Sequence, residues 1–166
     1  MELRILSAYN ALIHNPDKPT VVIRIYSADP ERNLLYDKLE HPSYVRIFPY
    51  TFDDWRNLTA DQMHGLATDS DFRNEFLTKP EDPRSFLSRD LAMRLVMDFL
   101  AVRESIECLM IHCAYGEGRA PAVGIALNEV FSLGCSTAQL KELFPSHNRG
   151  VYSLVLEAAW RALDIV

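Results

Sequence analysis

Basic residues are the first scarcity of this chain: 17 Lys and Arg stand against 23 Asp and Glu, a net charge of −6, with a pI near 5.3. No dense Lys/Arg cluster breaks that balance. Gripping nucleic acid or an anionic membrane through counterion release is thereby excluded as the main activity, and any anion site has to be small and local. No apolar run approaches the roughly 18 residues of a membrane span, and MELRILSAYN has no basic segment leading into an apolar core, so a cytoplasmic location is the expectation. Cysteine is sparse too. Cys108, Cys113 and Cys135 cannot all pair with one another and show no C-x-x-C spacing, which argues against a disulfide framework or a zinc ribbon and leaves at least one thiol free. No internal repeat or low-complexity tract occurs.

What is present is the composition of a globular domain: 166 residues, 48% of them hydrophobic, with a mean hydropathy of −0.08. That length predicts one domain over residues 1–166, neither disordered nor collagen-like. Leu3 to Leu6 reads as a first strand, Ser7 as the cap of a short helix through Ile13, and Val21 to Tyr26 as a buried strand. Tyr44 to Phe48 is a third strand, leading into a turn-prone stretch from Pro49 to Trp55. Residues 56–87 are polar, carry Pro80 and Pro83 and show little periodicity; they read as an excursion or lid that Phe72, Phe76 and Phe86 could anchor, or as a disordered segment. Ser88 caps a helix whose Leu91, Leu95, Phe99 and Val102 recur on one face. Cys108 to His112 is a short apolar strand, and Pro121, placed at a first helical position, opens a helix through Phe131 that Gly134 ends. Ser136 or Thr137 caps another helix, and Val151, Leu154, Val155, Ala158 and Ala162 stripe a last one. The alternation predicts an α/β fold with a twisted, mainly parallel central sheet flanked by helices.

Chemistry concentrates in His112-Cys113-Ala114-Tyr115-Gly116-Glu117-Gly118-Arg119-Ala120-Pro121. A cysteine at the end of a buried strand is followed by five residues, an arginine and a helix start. A loop so placed turns successive backbone N–H groups inward at the positive end of a helix dipole, a nest for a tetrahedral dianion. Gly116 and Gly118 permit the backbone angles such a nest needs. The same field stabilises a thiolate at Cys113, making it a nucleophile at neutral pH. Arg119 supplies a planar, permanently charged fork able to hold two phosphoryl oxygens into the transition state.

The pattern H-C-x-x-G-x-x-R, met at His112, Cys113, Gly116 and Arg119, resembles the signature of the cysteine-dependent protein tyrosine phosphatase superfamily, and the short chain is most similar to its dual-specificity branch. The stretches ILSAYNAL, VVIRIYS, IFPYTFDD and PSHNRGVYSLVLEA extend the likeness, over roughly residues 3–55 and 88–160, to a small bacterial and phage subgroup. The resemblance implies a phosphomonoester hydrolase without cofactor or metal, working through a cysteinyl-phosphate intermediate. Cys113 would be the nucleophile, Arg119 the phosphate-binding arginine, the backbone of Ala114, Tyr115, Gly116, Glu117 and Gly118 the cradle, and His112 the histidine that helps to hold the thiolate. Asn148 falls where many dual-specificity enzymes carry an asparagine that braces the loop.

Ester cleavage needs a proton for the leaving oxygen, which the superfamily takes from an Asp on a separate loop. Asp54 is the first choice here and Asp53 the second; Asp71, Asp82 and Asp90 are also available for the role and otherwise read as solvated surface charge. One departure matters. Most family members have Ser or Thr directly after the arginine, whose hydroxyl helps the sulfur to leave, whereas this chain has Ala120, as the phosphatases of regenerating liver do. Loss of that donor slows hydrolysis of the cysteinyl phosphate by roughly 1–3 kcal/mol, about one to two decades. Slow turnover with an accumulating phosphoenzyme is the expectation.

Glu117 and the absence of Lys or Arg from the loop interior disfavour polyanionic substrates, so phosphotyrosine or another phosphoester, in a phosphorylated protein or a small molecule, fits better. Tyr115 reads either as a platform for an aromatic ring or as packing under the excursion. His14, His41, His64 and His147 lack metal-ligand spacing, and Asp69-Ser70-Asp71 lacks the glycine and oxygen ligands of a calcium loop. Cys108 reads as a small buried residue, with a protective disulfide to Cys113 as the alternative. Cys135 is a helix-end residue, and Trp55, Phe72 and Phe76 pack as a satellite or form a lid. Two other readings stay open: a phosphate- or phosphopeptide-binding module of negligible turnover, and a sulfurtransferase or arsenate reductase, against which Gly118 directly before Arg119 argues.

Overall fold

The computed structural model describes residues 1–28, 30–36, 40–53 and 86–164. The β-branched run TVVIRIY forms a buried strand, β2 (Thr20–Tyr26), after β1 (Glu2–Ser7) and the short helix α1 (Ala8–Ile13). Ser7 begins α1 as its sequence position predicts, its Oγ accepting the N–H of Asn10 at 3.1 Å. β3 (Tyr44–Thr51), α2 (Arg89–Leu100), β4 (Cys108–Cys113), α3 (Arg119–Phe131), α4 (Thr137–Leu143) and α5 (Arg149–Leu163) follow. The four strands lie in the order β1-β4-β2-β3, every neighbouring pair parallel.

Both faces of this sheet are covered, which is why β4, CLMIHC, is buried along its whole length. Val21, Ile23 and Ile25 of β2 and Leu109, Ile111 and Cys113 of β4 face a core built with α2, α3 and α5, where Leu95, Phe99, Val123, Leu127, Val155 and Ala158 are buried. Alternate residues, Val22 of β2 and Met110 of β4, face a second layer with Ala8 and Ala11 of α1 and Tyr36. Thus β1 continues into a helix on one face while its neighbour β4 continues into a helix on the other. Their connections diverge at the carboxyl ends of the two strands, the place where parallel α/β sheets bind ligands.

Several boundaries differ from the sequence reading. β3 runs through Pro49 to Thr51 in register with β2, where a turn was expected after Phe48. In the described sheet it has a single neighbour, and an edge strand does not need every N–H. α3 starts at Arg119, so Pro121 is its third residue; every position of a first turn tolerates a missing N–H. The same helix closes on Ser132, left-handed at φ 53, two residues before Gly134. Asn128 holds that turn, its Nδ2 donating to the Cys135 carbonyl and to Thr137 Oγ1, both at 3.0 Å. Ser136, not Thr137, caps α4. Cys108 and Cys113 sit at opposite ends of β4, about 16 Å apart at 3.3 Å per residue, which rules out a disulfide between them. Of the excursion at 56–87, only Phe86 and the buried Leu87 lie within the described residues. Among the described residues no helix is long and apolar enough to cross a membrane.

Candidate active site

The carboxyl ends of the strands β1 to β4 meet around Cys113 and Arg119. Cys113, the last residue of β4, is 2% exposed and lies in register with Ser7 of β1 and Ile25 of β2. From it the chain curls back: the N–H of Gly116 donates to Cys113 Sγ at 3.3 Å. Gly116 has φ +73, and a Cβ there would stand 2.5 Å from the Ser7 nitrogen and 2.8 Å from the Leu6 carbonyl carbon. Only glycine fits, because the loop is folded down onto the end of β1, a seat also fixed by the Ala8 N–H donating to the Ala114 carbonyl at 3.3 Å. Gly118, at φ −109, needs no such freedom.

Gly118 is instead the N-cap of α3 and, as a glycine, offers no side-chain cap. The positive end of α3 therefore lies beyond the carboxyl end of β4 without an acceptor from its own cap, the arrangement that suits an anion. The Gly118 carbonyl is held from behind, accepting the Asn148 N–H at 3.1 Å, while Asn148 Oδ1 caps α5 by accepting the Val151 N–H at 3.0 Å. Asn148 thus braces the loop through its backbone.

Arg119 is 5% exposed. Its Nη1 donates to the Tyr26 carbonyl at 2.9 Å and the Phe52 carbonyl at 2.6 Å, and stands 4.0 Å from Asp53 Oδ1. The ends of β2 and β3 thus grip one edge of the guanidinium. Asp53 Oδ1 accepts from Ser27 Oγ at 2.7 Å and from the Ala28 N–H at 3.2 Å. This carboxylate oxygen is engaged as an acceptor beside Arg119, the posture of a residue that orients the arginine. Asp54 lies outside the described residues, as do His64, Asp71 and Asp82; Asp90 is exposed in the first turn of α2.

His112 is placed differently from its expected role. Alternation along β4 turns its ring to the face opposite Cys113, where it is 1% exposed, 5.2 Å from the Tyr36 ring and an acceptor at Nε2 for Arg24 Nε at 3.4 Å. Burial, and then the Arg24 charge, push its pKa down to about 3. A neutral imidazole on the far face is not part of the cradle and offers no positive charge to a thiolate. Tyr115 and Glu117 of the loop are exposed, and Ala120 is fully buried.

No family model, curated protein or solved structure matches the chain. Its chemistry is to be read from its own residues. Two of those escaped the sequence reading, Ser27 and Arg24. Ser27 has no signal in the sequence, since its role depends on β3 ending beside β2. Arg24 had one: a single charge inside the apolar run VVIRIY. Among the described residues no group of three or more His, Cys, Asp or Glu side chains is placed to hold a metal ion.

Proposed function

We propose that the chain is a cysteine-dependent phosphomonoester hydrolase with a protein tyrosine phosphatase-like fold, of the tyrosine or dual-specificity type. The observation that carries this reading is the joint placement of Cys113 Sγ under the Gly116 N–H and of Arg119 at the uncapped start of α3. In this reading a phosphoryl group at the carboxyl end of β4 meets the loop amides and the Arg119 guanidinium, whose Nη1 is held by two carbonyls. The Cys113 sulfur attacks phosphorus as the ester oxygen departs with a proton from Asp54; water then attacks the cysteinyl phosphate, and the sulfur leaves as thiolate. Asp53 orients Arg119. No cofactor takes part, and a reducing, cytoplasmic setting keeps the thiol available.

The buried Ala120 favours a second reading, a phosphate- or phosphopeptide-binding module of negligible turnover, because no hydroxyl adjoins the arginine to assist the departing sulfur. Hydrolysis of para-nitrophenyl phosphate separates the two. Turnover by the wild type that is lost in Cys113→Ser supports the enzyme. Tungstate binding without hydrolysis between about pH 5 and 7 overturns it in favour of the module.

A further inference from the structure

Behind the nucleophile, on the face of the sheet away from α3, lies a buried cation that the phosphatase reading does not use. Arg24 of β2 is 6% exposed and in register with His112. Its Nε donates to His112 Nε2 at 3.4 Å, and its Nη1 to the Tyr36 carbonyl at 3.2 Å and the Tyr26 hydroxyl at 3.5 Å. The Tyr26 carbonyl in turn receives Arg119.

A guanidinium can only donate. Where Arg24 Nε–H points at His112 Nε2, that nitrogen must carry its lone pair, so the imidazole is uncharged and its proton sits on Nδ1. Independently, His112 Nδ1 is buried and has no hydrogen-bond partner. An unpartnered buried N–H is costly, and an apolar side chain would fill the space without that cost. Among the described residues the ring's neighbours are Arg24 and Tyr26 of β2, the apolar Leu6 in register on β1, Tyr36, which packs against the ring, and Ala8 and Ala11 of α1 in the same layer.

We propose that Arg24 is a positioning residue of this site: it locks His112 as a neutral Nδ1–H imidazole, so that loop amides and Arg119, and no imidazolium, balance the charge of the Cys113 thiolate. The consequence for catalysis rests on the phosphatase reading; the tautomer lock does not. It also distinguishes this chain from a site whose thiolate is paired with a charged histidine.

The test is long-range ¹⁵N–¹H correlation on the uniformly labelled full chain between about pH 8 and 4, with His112 assigned by its loss in His112→Gln. The wild type is expected to show His112 protonated at Nδ1 and bare at Nε2 throughout. Arg24→Met should release it, giving an Nε2–H tautomer or an imidazolium within that range, and Arg24→Gln, which keeps an N–H donor, should restore the wild-type pattern in part. An imidazolium or an Nε2–H tautomer in the wild type overturns the proposal, whatever the fate of the variants; so does an Arg24→Met protein that folds and keeps the wild-type pattern. Absence of phosphatase activity with the expected tautomer overturns the phosphatase reading and leaves the lock standing.

Discussion

Replacing Gly116 with alanine strikes the loop where its shape is most sharply determined. At φ +73 an alanine costs about 1–2 kcal/mol. Its Cβ also meets the Ser7 nitrogen at 2.5 Å and the Leu6 carbonyl carbon at 2.8 Å. These are backbone atoms at the end of a strand paired along its length with β4, so they cannot swing aside as a side-chain tip would. The loop has to lift, and the 3.3 Å contact from the Gly116 N–H to Cys113 Sγ opens with it. A hydrogen bond to a charged group is worth about 1.5–3 kcal/mol. Together with misaligned phosphate amides, that places the loss of transition-state stabilisation at roughly 3–4 kcal/mol, a fall of two to three decades in kcat/KM.

Stability should drop by only about 1–3 kcal/mol, because the strain lies in one loop. Two assays separate the effects: hydrolysis of an aryl phosphate, and thermal unfolding with and without tungstate. At a hundredfold excess over its Kd, tungstate stabilises the wild type by about 2.7 kcal/mol, which raises Tm by roughly 5–10 °C in a chain of this size. Gly116→Ala should fold, lose activity and lose the tungstate shift. Retention of kcat/KM within about threefold, with an unchanged shift, would refute a cradle built on this glycine.

Asp54, Asp53 and His112 carry three further expectations. Asp54→Asn should slow a poor leaving group by a factor of about 10²–10⁴ and an activated one far less, since only the former needs the proton. Asp53→Asn, which loosens Arg119, should lower both equally and weaken tungstate binding; a selective loss in Asp53→Asn would transfer the acid role to it. For His112, the folded-state pKa near 3 lies below the unfolded value near 6.5. Below pH 6.5 the unfolded chain takes up a proton that the folded chain refuses, so stability is whole above that pH and falls by about 1.4 kcal/mol per pH unit down to about 3. Urea titrations across that window should lose this slope in His112→Gln.

The strand-loop-helix unit was legible because its chemistry is local. A run of apolar residues ending in Cys113, glycine at the one position where the chain folds onto β1, and an arginine at the helix start are neighbours in the chain. Ser88 and Ser7 were legible as caps for the same reason: a cap reads only the next three residues. What escaped depends on residues far apart in sequence. Pro49 marks a turn in isolation, yet stays in β3 because that strand has one described neighbour. Arg24 meets His112 across 88 positions, and Asp53 meets Ser27 across 26. The direction of the His112 side chain follows from strand alternation, which was available; its partner on the far face was not.

The most direct test of the central claim is rapid-quench mass spectrometry of the protein turning over an aryl phosphate. Cys113 should carry one phosphoryl group in close to one equivalent during the steady state, because Ala120 leaves the departing sulfur without a hydroxyl donor. Ala120→Ser should hasten turnover and deplete that species. A chain that hydrolyses the ester with no phosphoryl group on Cys113, or a Cys113→Ser variant that turns over at the wild-type rate, would contradict the account.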